Sequence, residues 1–288
     1  MQKITPHLWF DKEAVEAAEF YTTVFDDAKI NSKNRIYDTP SGDCDIVAFQ
    51  VMGYHFMAIS AGPMFKFNPS ISFHARCRTV DEVDDIWKKL SPGGTVMMEL
   101  GEYPFSMRYG WIQDRFGVSW QVIHTEGAFT HRIAPALMFT GDVCGRTEEA
   151  LKHYTSVFRD AGFEVLMRYE KGAGPDREGT VQYARFTLEG QEFGAMDSAL
   201  EHKFAFNEAV SFIVNCGDQK EIDHFWGGLS AVPAAEQCGW IKDKFGVSWQ
   251  IIPANMGELL AKNPEKTTPV MLGMKKIIIA DLVKAGEQ

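Results

Sequence analysis

The 288 residues predict an α+β protein made of two tandem copies of one module, each copy built from paired βαβββ units, followed by a helical tail. Three observations carry that expectation. Motif blocks recur in the same order in both halves. Within each half, strand-type alternation and helix-type spacing succeed one another. The composition, 45% apolar and 24% charged, is that of a chain able to bury a core in each copy.

The repeat is explicit. Ile4-x-Pro6-x-Leu8-x-Phe10 returns as Ile133-x-Pro135-x-Leu137-x-Phe139, and Tyr21-Thr22-Thr23-Val24-Phe25 as Tyr154-Thr155-Ser156-Val157-Phe158. Ser72-Phe73 with Cys77 matches Ser211-Phe212 with Cys216, and Trp87 with Leu90 matches Trp226 with Leu229. Gly110-Trp111-Ile112-x-Asp114-x-Phe116-Gly117-Val118-Ser119-Trp120-Gln121 returns almost letter for letter between Gly239 and Gln250. The offset is 129 residues at Pro6, 139 at Trp87 and 129 again at Gly117, so loop changes cancel across one duplicated unit. The modules are expected at residues 1–127 and 128–254, with a linker and an amphipathic helix at 255–288.

In the first copy, Ile4–Phe10 alternates as a strand. Ala14, Ala17, Ala18, Tyr21 and Phe25 fall at helical spacing across 13–25. Segments 46–51 and 54–59 read as a hairpin turning at Met52-Gly53. Ile71–Cys77 is a further strand, Val80–Leu90 a helix capped by Thr79 with Glu82 placed for a capping box, and 117–123 a closing strand. Ten more residues separate Leu90 from Trp111 than separate Leu229 from Trp240. The surplus, at 95–106, is an extra strand, a lid or a plain surface loop. After a polar, proline-containing connector at 262–269, Met271, Met274, Ile278 and Leu282 predict one docking helix at 270–285.

The charge balance excludes several partners. A net charge of −10 argues against nucleic acid or an anionic membrane surface. No run approaches the roughly 18 apolar residues of a membrane span, and the opening segment does not read as a signal peptide. Cys44, Cys77, Cys144, Cys216 and Cys238 are odd in number and far apart, the pattern of free thiols in a cytoplasmic protein.

The Pro-x-Leu-x-Phe strand, the Phe-Tyr-x-x-Val-Phe helix and the Gly-Trp-x-x-Asp-x-Phe-Gly-Val-Ser-Trp-Gln block resemble the PhnB-like branch of the vicinal oxygen chelate superfamily. That superfamily includes glyoxalase I, bleomycin-resistance proteins and extradiol dioxygenases. Gln237-Cys238-Gly239-Trp240 and the Met271-x-x-Met274-Lys275-Lys276-Ile277 tail resemble members described as demethylubiquinone methyltransferases. The resemblance spans nearly the whole chain. It implies glyoxalase-like modules whose sheets curve into open cups holding the ligand. A doubly wound methyltransferase would need a strand-loop-helix with glycines against its cofactor. The one glycine-rich run, Gly172-Ala173-Gly174-Pro175, lies between two predicted strands and reads as a hairpin loop.

Strand alternation lists the polar side of each copy. The first offers Thr5, His7, Trp9, Ser72, His74, Arg76, Ser119 and Gln121; the second offers Ala134, Ala136, Met138, Ser211, Ile213, Asn215, Ser248 and Gln250. The first copy is thus the better equipped cup. The positions where metal-dependent relatives carry ligands fall near Thr5, Ser72 and Gln121, and near Ala134, Ser211 and Gln250. Hydroxyls and amides there are poor ligands for a divalent ion. An off-register set of His7, His74 and Gln121 is the alternative metal site. Asp114 and Asp243 are expected to organise turns, Cys77 and Cys216 to be buried, and Trp120 and Trp249 to be core. Arg76 either holds a carboxylate or phosphonate or is a solvated strand-end cation.

Three functional readings follow. The first is binding of a small, partly apolar molecule, anionic or neutral, in the first cup without metal or other cofactor. The second is a metal-dependent lyase, isomerase or dioxygenase using His7 and His74. The third is a non-catalytic protein acting through its surface or through oligomer contacts, as a pseudo-dimer within the chain or a homodimer.

Overall fold

The computed structural model describes residues 2–39, 41–127 and 129–288. The first copy runs β1 (Ile4–Phe10), α1 (Ala14–Val24), β2 (Lys29–Thr39), β3 (Gly42–Val51) and β4 (Tyr54–Ser60). It continues with β5 (Ile71–Cys77), α2 (Val80–Leu90), β6 (Thr95–Tyr103), β7 (Ser106–Gln113) and β8 (Ser119–His124). That is βαβββ twice. The second copy opens with β9 (Ile133–Phe139), α3 (Thr147–Val157), β10 (Gly162–Arg168), β11 (Val181–Leu188) and β12 (Gln191–Asp197). It closes with β13 (Val210–Cys216), α4 (Gln219–Leu229), β14 (Trp240–Lys242) and β15 (Ser248–Pro253), before α5 (Met256–Lys262), α6 (Pro264–Leu272) and α7 (Ile279–Gly286).

The chain divides into two compact units, one of residues His7–Val210 and one of residues up to Pro6 with Ser211–Gln288. In the larger unit, eight strands run in the order β10-β11-β12-β9-β5-β8-β7-β6. The two copies meet at its centre, where β5 and β9 pair antiparallel with His74 beside Ala134 and Ser72 beside Ala136. On either side β5 is parallel to β8 and β9 to β12. In the same unit β1, from His7 onward, is parallel to β4, which continues antiparallel into β3 and then β2. The core of the first copy lies between these strand groups. Phe56 of β4 meets Phe73 of β5 edge-on at 5.1 Å, and Tyr21 of α1 meets Trp120 of β8 at 5.4 Å. Packing that side leaves the other side of each sheet for polar residues.

In the smaller unit β13 is parallel to β15 with Ser211 beside Ser248, and β14 pairs antiparallel with β15. The Asn215 N–H donates to Lys3 C=O at 2.9 Å, which lays the start of the chain along β13. α4 packs on β14 and β15.

The repeated caps and turns explain why the two copies fold alike. Thr79 accepts the Glu82 N–H and Asp218 the Glu221 N–H, each at the start of a helix. Asp114 Oδ1 accepts the N–H groups of Phe116 and Val118, and its Oδ2 accepts Trp120 Nε1–H at 2.9 Å and the Tyr21 hydroxyl at 2.7 Å. Asp243 does the same for Phe245, Val247 and Trp249. Both aspartates organise turns, both tryptophans are core, and Cys77 and Cys216 are fully buried. Burial pushes the Cys77 thiol up to about 12.

Two expectations need correction or resolution. The surplus at 95–106 is an extra strand, β6, which pairs with β7. The single tail helix predicted at 270–285 is not formed. α6 covers most of the expected connector, with Pro264 in its first turn where a missing N–H costs nothing. Beyond Gly273 the backbone pairs instead with the second copy: Cys238 and Gly239 N–H donate to Met274 and Lys275 C=O at 2.8 and 2.7 Å. Helical spacing was present, but these bonds and the complete burial of Ile277 outweigh a weak helical preference. The tail therefore stands beside Cys238-Gly239 where β6 stands beside Tyr109-Gly110 in the first copy.

Candidate functional site

The eight predicted residues of the first copy do not share one sheet. Thr5, His7 and Trp9 lie on β1, whereas Ser72, His74 and Arg76 lie on β5, and Ser119 and Gln121 on β8. Thr5 accepts a hydrogen bond from Asn215 Nδ2 at 3.2 Å. Trp9 Nε1–H donates to Gly62 C=O, and its ring meets Phe65 edge-on at 5.1 Å. His7 is buried, which pushes its imidazole down to about 4. Leu8 and Phe10 of β1, and residues 71, 73, 75 and 77 of β5, face the core of the larger unit, so His7 and His74 point out of opposite sides of it. The metal set of His7, His74 and Gln121 is therefore not assembled. Strands group by pairing, and the eight-stranded sheet takes β5 to β8 from the first copy and β9 to β12 from the second.

The five predicted residues of β5 and β8, Ser72, His74, Arg76, Ser119 and Gln121, share the outer face of that sheet. His74 and Gln121 are neighbours in the parallel register of β5 and β8. Gln121 Nε2–H donates to Ser72 Oγ at 2.8 Å, and the Tyr109 hydroxyl donates to Gln121 Oε1 at 2.7 Å. Trp111 Nε1–H donates to Ser119 Oγ at 2.7 Å. Gln121 is 4% exposed and His74 6%. Burial, with Arg76 adding to it, pushes the His74 imidazole down to about 4 against an opposing bond from Gln121. The ring is thus neutral at neutral pH and offers hydrogen bonds without charge.

The second copy supplies the other wall. Ala134 and Ala136 stop at Cβ beside His74 and Ser72. Gly194 follows, and a Cβ there would come within 3.2 Å of the Tyr183 hydroxyl. Tyr183 leans over that gap with its ring 6.1 Å from His74. Arg76 is not a free cation. Its guanidinium is paired with Glu192 and donates to His131 C=O at 3.3 Å.

Sequence reasoning missed Tyr109, Tyr183 and Glu192. Tyr109 carried a signal, since it precedes the Gly-Trp pair where the second copy has Cys238 and alternates with Trp111 onto the polar side. Tyr183 and Glu192 carried none, because their place depends on the pairing of β9 with β5.

The donor set does not suit a divalent metal. Hydroxyls, one carboxamide and a single imidazole converge here, and among the described residues no group of three or more His, Cys, Asp or Glu does so. What the face provides is a row of neutral hydrogen-bonding groups between small side chains and aromatic rings, an arrangement suited to a small organic molecule.

The sequence profile of the 3-demethylubiquinone-9 3-methyltransferase family matches residues 2–123 and again residues 131–252. A PhnB protein of Bacillus cereus is 38% identical over 43% of this chain and 100% of its own, with a TM-score of 0.40. Glyoxalase I of Zea mays is 13% identical over 90% of this chain and 96% of its own, with a TM-score of 0.55. That last similarity shows the fold alone, the vicinal oxygen chelate fold that the motifs imply. No curated protein matches the chain.

Proposed function

The chain belongs to the 3-demethylubiquinone-9 3-methyltransferase family, in two tandem copies, and from that premise we propose that it binds a small, partly apolar organic molecule on the outer face of the eight-stranded sheet. The observation that carries the reading is the buried Tyr109–Gln121–Ser72 chain with His74 beside it, set against Ala134 and Ala136. Buried polar groups are kept where their hydrogen bonds are needed, and a sheet face with no such need is ordinarily filled by larger apolar side chains. The ligand is held by neutral groups and without a metal. An anionic ligand fits less well, because Glu192 already neutralises Arg76.

Methyl transfer, named in the family's description, has no support in the site's geometry. The glycine-rich run 172–175 lies in the loop between β10 and β11, away from any strand-to-helix turn. A cytoplasmic setting belongs to the same proposal, supported by five cysteines, an odd number, spread far apart along the sequence.

Thermal shift of the full chain against a panel of small carbonyl, amide and carboxylate compounds tests the reading. A ligand at about 100 times its Kd stabilises by about 2.7 kcal/mol, a rise of several degrees in Tm. The expected hit is uncharged, and its shift is lost in Gln121→Ala. Hits that stabilise wild type and Gln121→Ala equally, or a panel with no hits, count against the site.

A further inference from the structure

The second copy carries extra residues in three loops, and the three loops meet. Its offset from the first copy is 129 residues at Phe10, 133 at Phe25, 137 at Gly53 and 139 at Phe65. The additions fall between β9 and α3, between β10 and β11, and after β12. β9 and β12 are parallel, with Phe139 beside Asp197, so these loops gather at one end of the sheet. Asp197 accepts the Gly145 N–H at 2.7 Å, and the Tyr169 hydroxyl donates to Asp197 C=O at 3.1 Å. Asp176 Oδ1 accepts the Ala199 N–H at 2.7 Å.

Among these loops Ser198 Oγ stands 2.8 Å from His202 Nε2. The His202 ring packs 4.8 Å from the ring of Phe204, and Asp176 is near enough for its charge to act on it. Burial holds the imidazole below its ordinary value against the pull of Asp176, so the ring is a neutral base at neutral pH. The fold itself needs neither residue. The first copy has Ala61 in place of Ser198 and no histidine before Phe65, and closes the turn with Trp9 Nε1–H on Gly62 C=O at 2.8 Å. Leu200, between the pair in sequence, is 56% exposed.

We propose that Ser198 is a nucleophile activated by His202, with Asp176 as a positioning residue, and that it accepts the acyl group of an activated ester or thioester. A nucleophile within hydrogen-bond reach of a base, with a carboxylate beside that base, serves acyl transfer on unrelated folds. Ser198 Oγ bonds to the acyl carbon as its proton passes to His202 Nε2. The bond from that carbon to the leaving oxygen or sulfur breaks as the leaving group takes the proton. Water, deprotonated by the same imidazole, then releases the acid and restores the hydroxyl. Leu200 offers apolar surface to a short acyl chain. None of these residues lies on the face of Tyr109, Gln121 and Ser72, so this activity and the ligand site proposed above stand or fall separately.

The test treats the full chain with a fluorophosphonate and with p-nitrophenyl acetate and locates adducts by intact and peptide mass spectrometry. The expected result is one adduct per chain, on Ser198, absent from heat-unfolded protein. Labelling is about 100-fold slower in His202→Gln, whose amide can keep the hydrogen bond but cannot take the proton. Asp176→Asn can still accept the Ala199 N–H, and it shifts the pH profile of labelling to lower pH because the ring loses the charge that raises its pKa. No adduct on Ser198 of the wild type, an adduct confined to Cys144 or another residue, or equal labelling of folded and unfolded chain overturns the proposal. So does labelling of His202→Gln at the wild-type rate. An unmoved profile in Asp176→Asn overturns the role given to Asp176.

Discussion

Gln121 makes the candidate site a unit: its carboxamide accepts from Tyr109 on one side and donates to Ser72 on the other. His74 beside it is held neutral by burial, and this gives stability a defined pH dependence. The folded pKa of about 4 lies below the ordinary value of 6.5. Between those values the unfolded chain binds the proton and the folded chain does not, so stability falls as pH drops through that window. The cost reaches about 3 kcal/mol for this group as the pH falls to about 4 and levels off below it. Urea unfolding at pH 7 and pH 4 should show a smaller loss in His74→Gln by about that amount, and equal losses in the two proteins would refute the assignment. Arg76 yields a second expectation. Glu192→Gln removes its counter-charge, so carboxylate probes should bind the variant about tenfold more tightly or better than wild type by titration calorimetry. No gain would mean that Arg76 does not reach the ligand.

At the scale of elements, the difference between the copies is one edge. β6 borders β7 in the first copy, whereas the tail at Met274 and Lys275 borders Cys238-Gly239 in the second. Gly239 sits at φ +87°, and a Cβ there would lie 2.9 Å from Ile252 and 3.3 Å from Ile277, so the tail packs directly on this turn. Ile277→Ala should therefore cost about 2–5 kcal/mol in urea unfolding, as for other fully buried isoleucines. A cost within 0.5 kcal/mol would show that the tail is not part of the fold's core. The tail's role was hidden in the sequence because helical spacing at Met271, Met274, Ile278 and Leu282 says nothing about a distant strand edge. β2 was hidden for a related reason: its Lys29–Thr39 stretch is an edge strand, largely exposed and without apolar alternation. Strands with one apolar side, such as β1, β5 and β8, were legible from alternation alone.

For the whole molecule, the repeat made both the duplication and the fold readable, and alternation placed Ser72, His74, Ser119 and Gln121 on one face. It could not tell which strand groups pair. Period-two patterns fix a side chain's face, while partner strands are chosen by packing between distant segments. Hence Thr5 and His7 were grouped with residues that lie on another sheet, and Tyr183 and Glu192 were not found. The net charge of −10 agrees with an uncharged ligand, since it disfavours the approach of anions. A crystal structure of the full chain with the best thermal-shift hit tests this most directly. The expected density lies against Gln121, Ser72 and His74, with Ala134 and Ala136 beneath it. Density for the hit elsewhere, with that face packed shut and the Tyr109–Gln121–Ser72 chain untouched, would contradict the account.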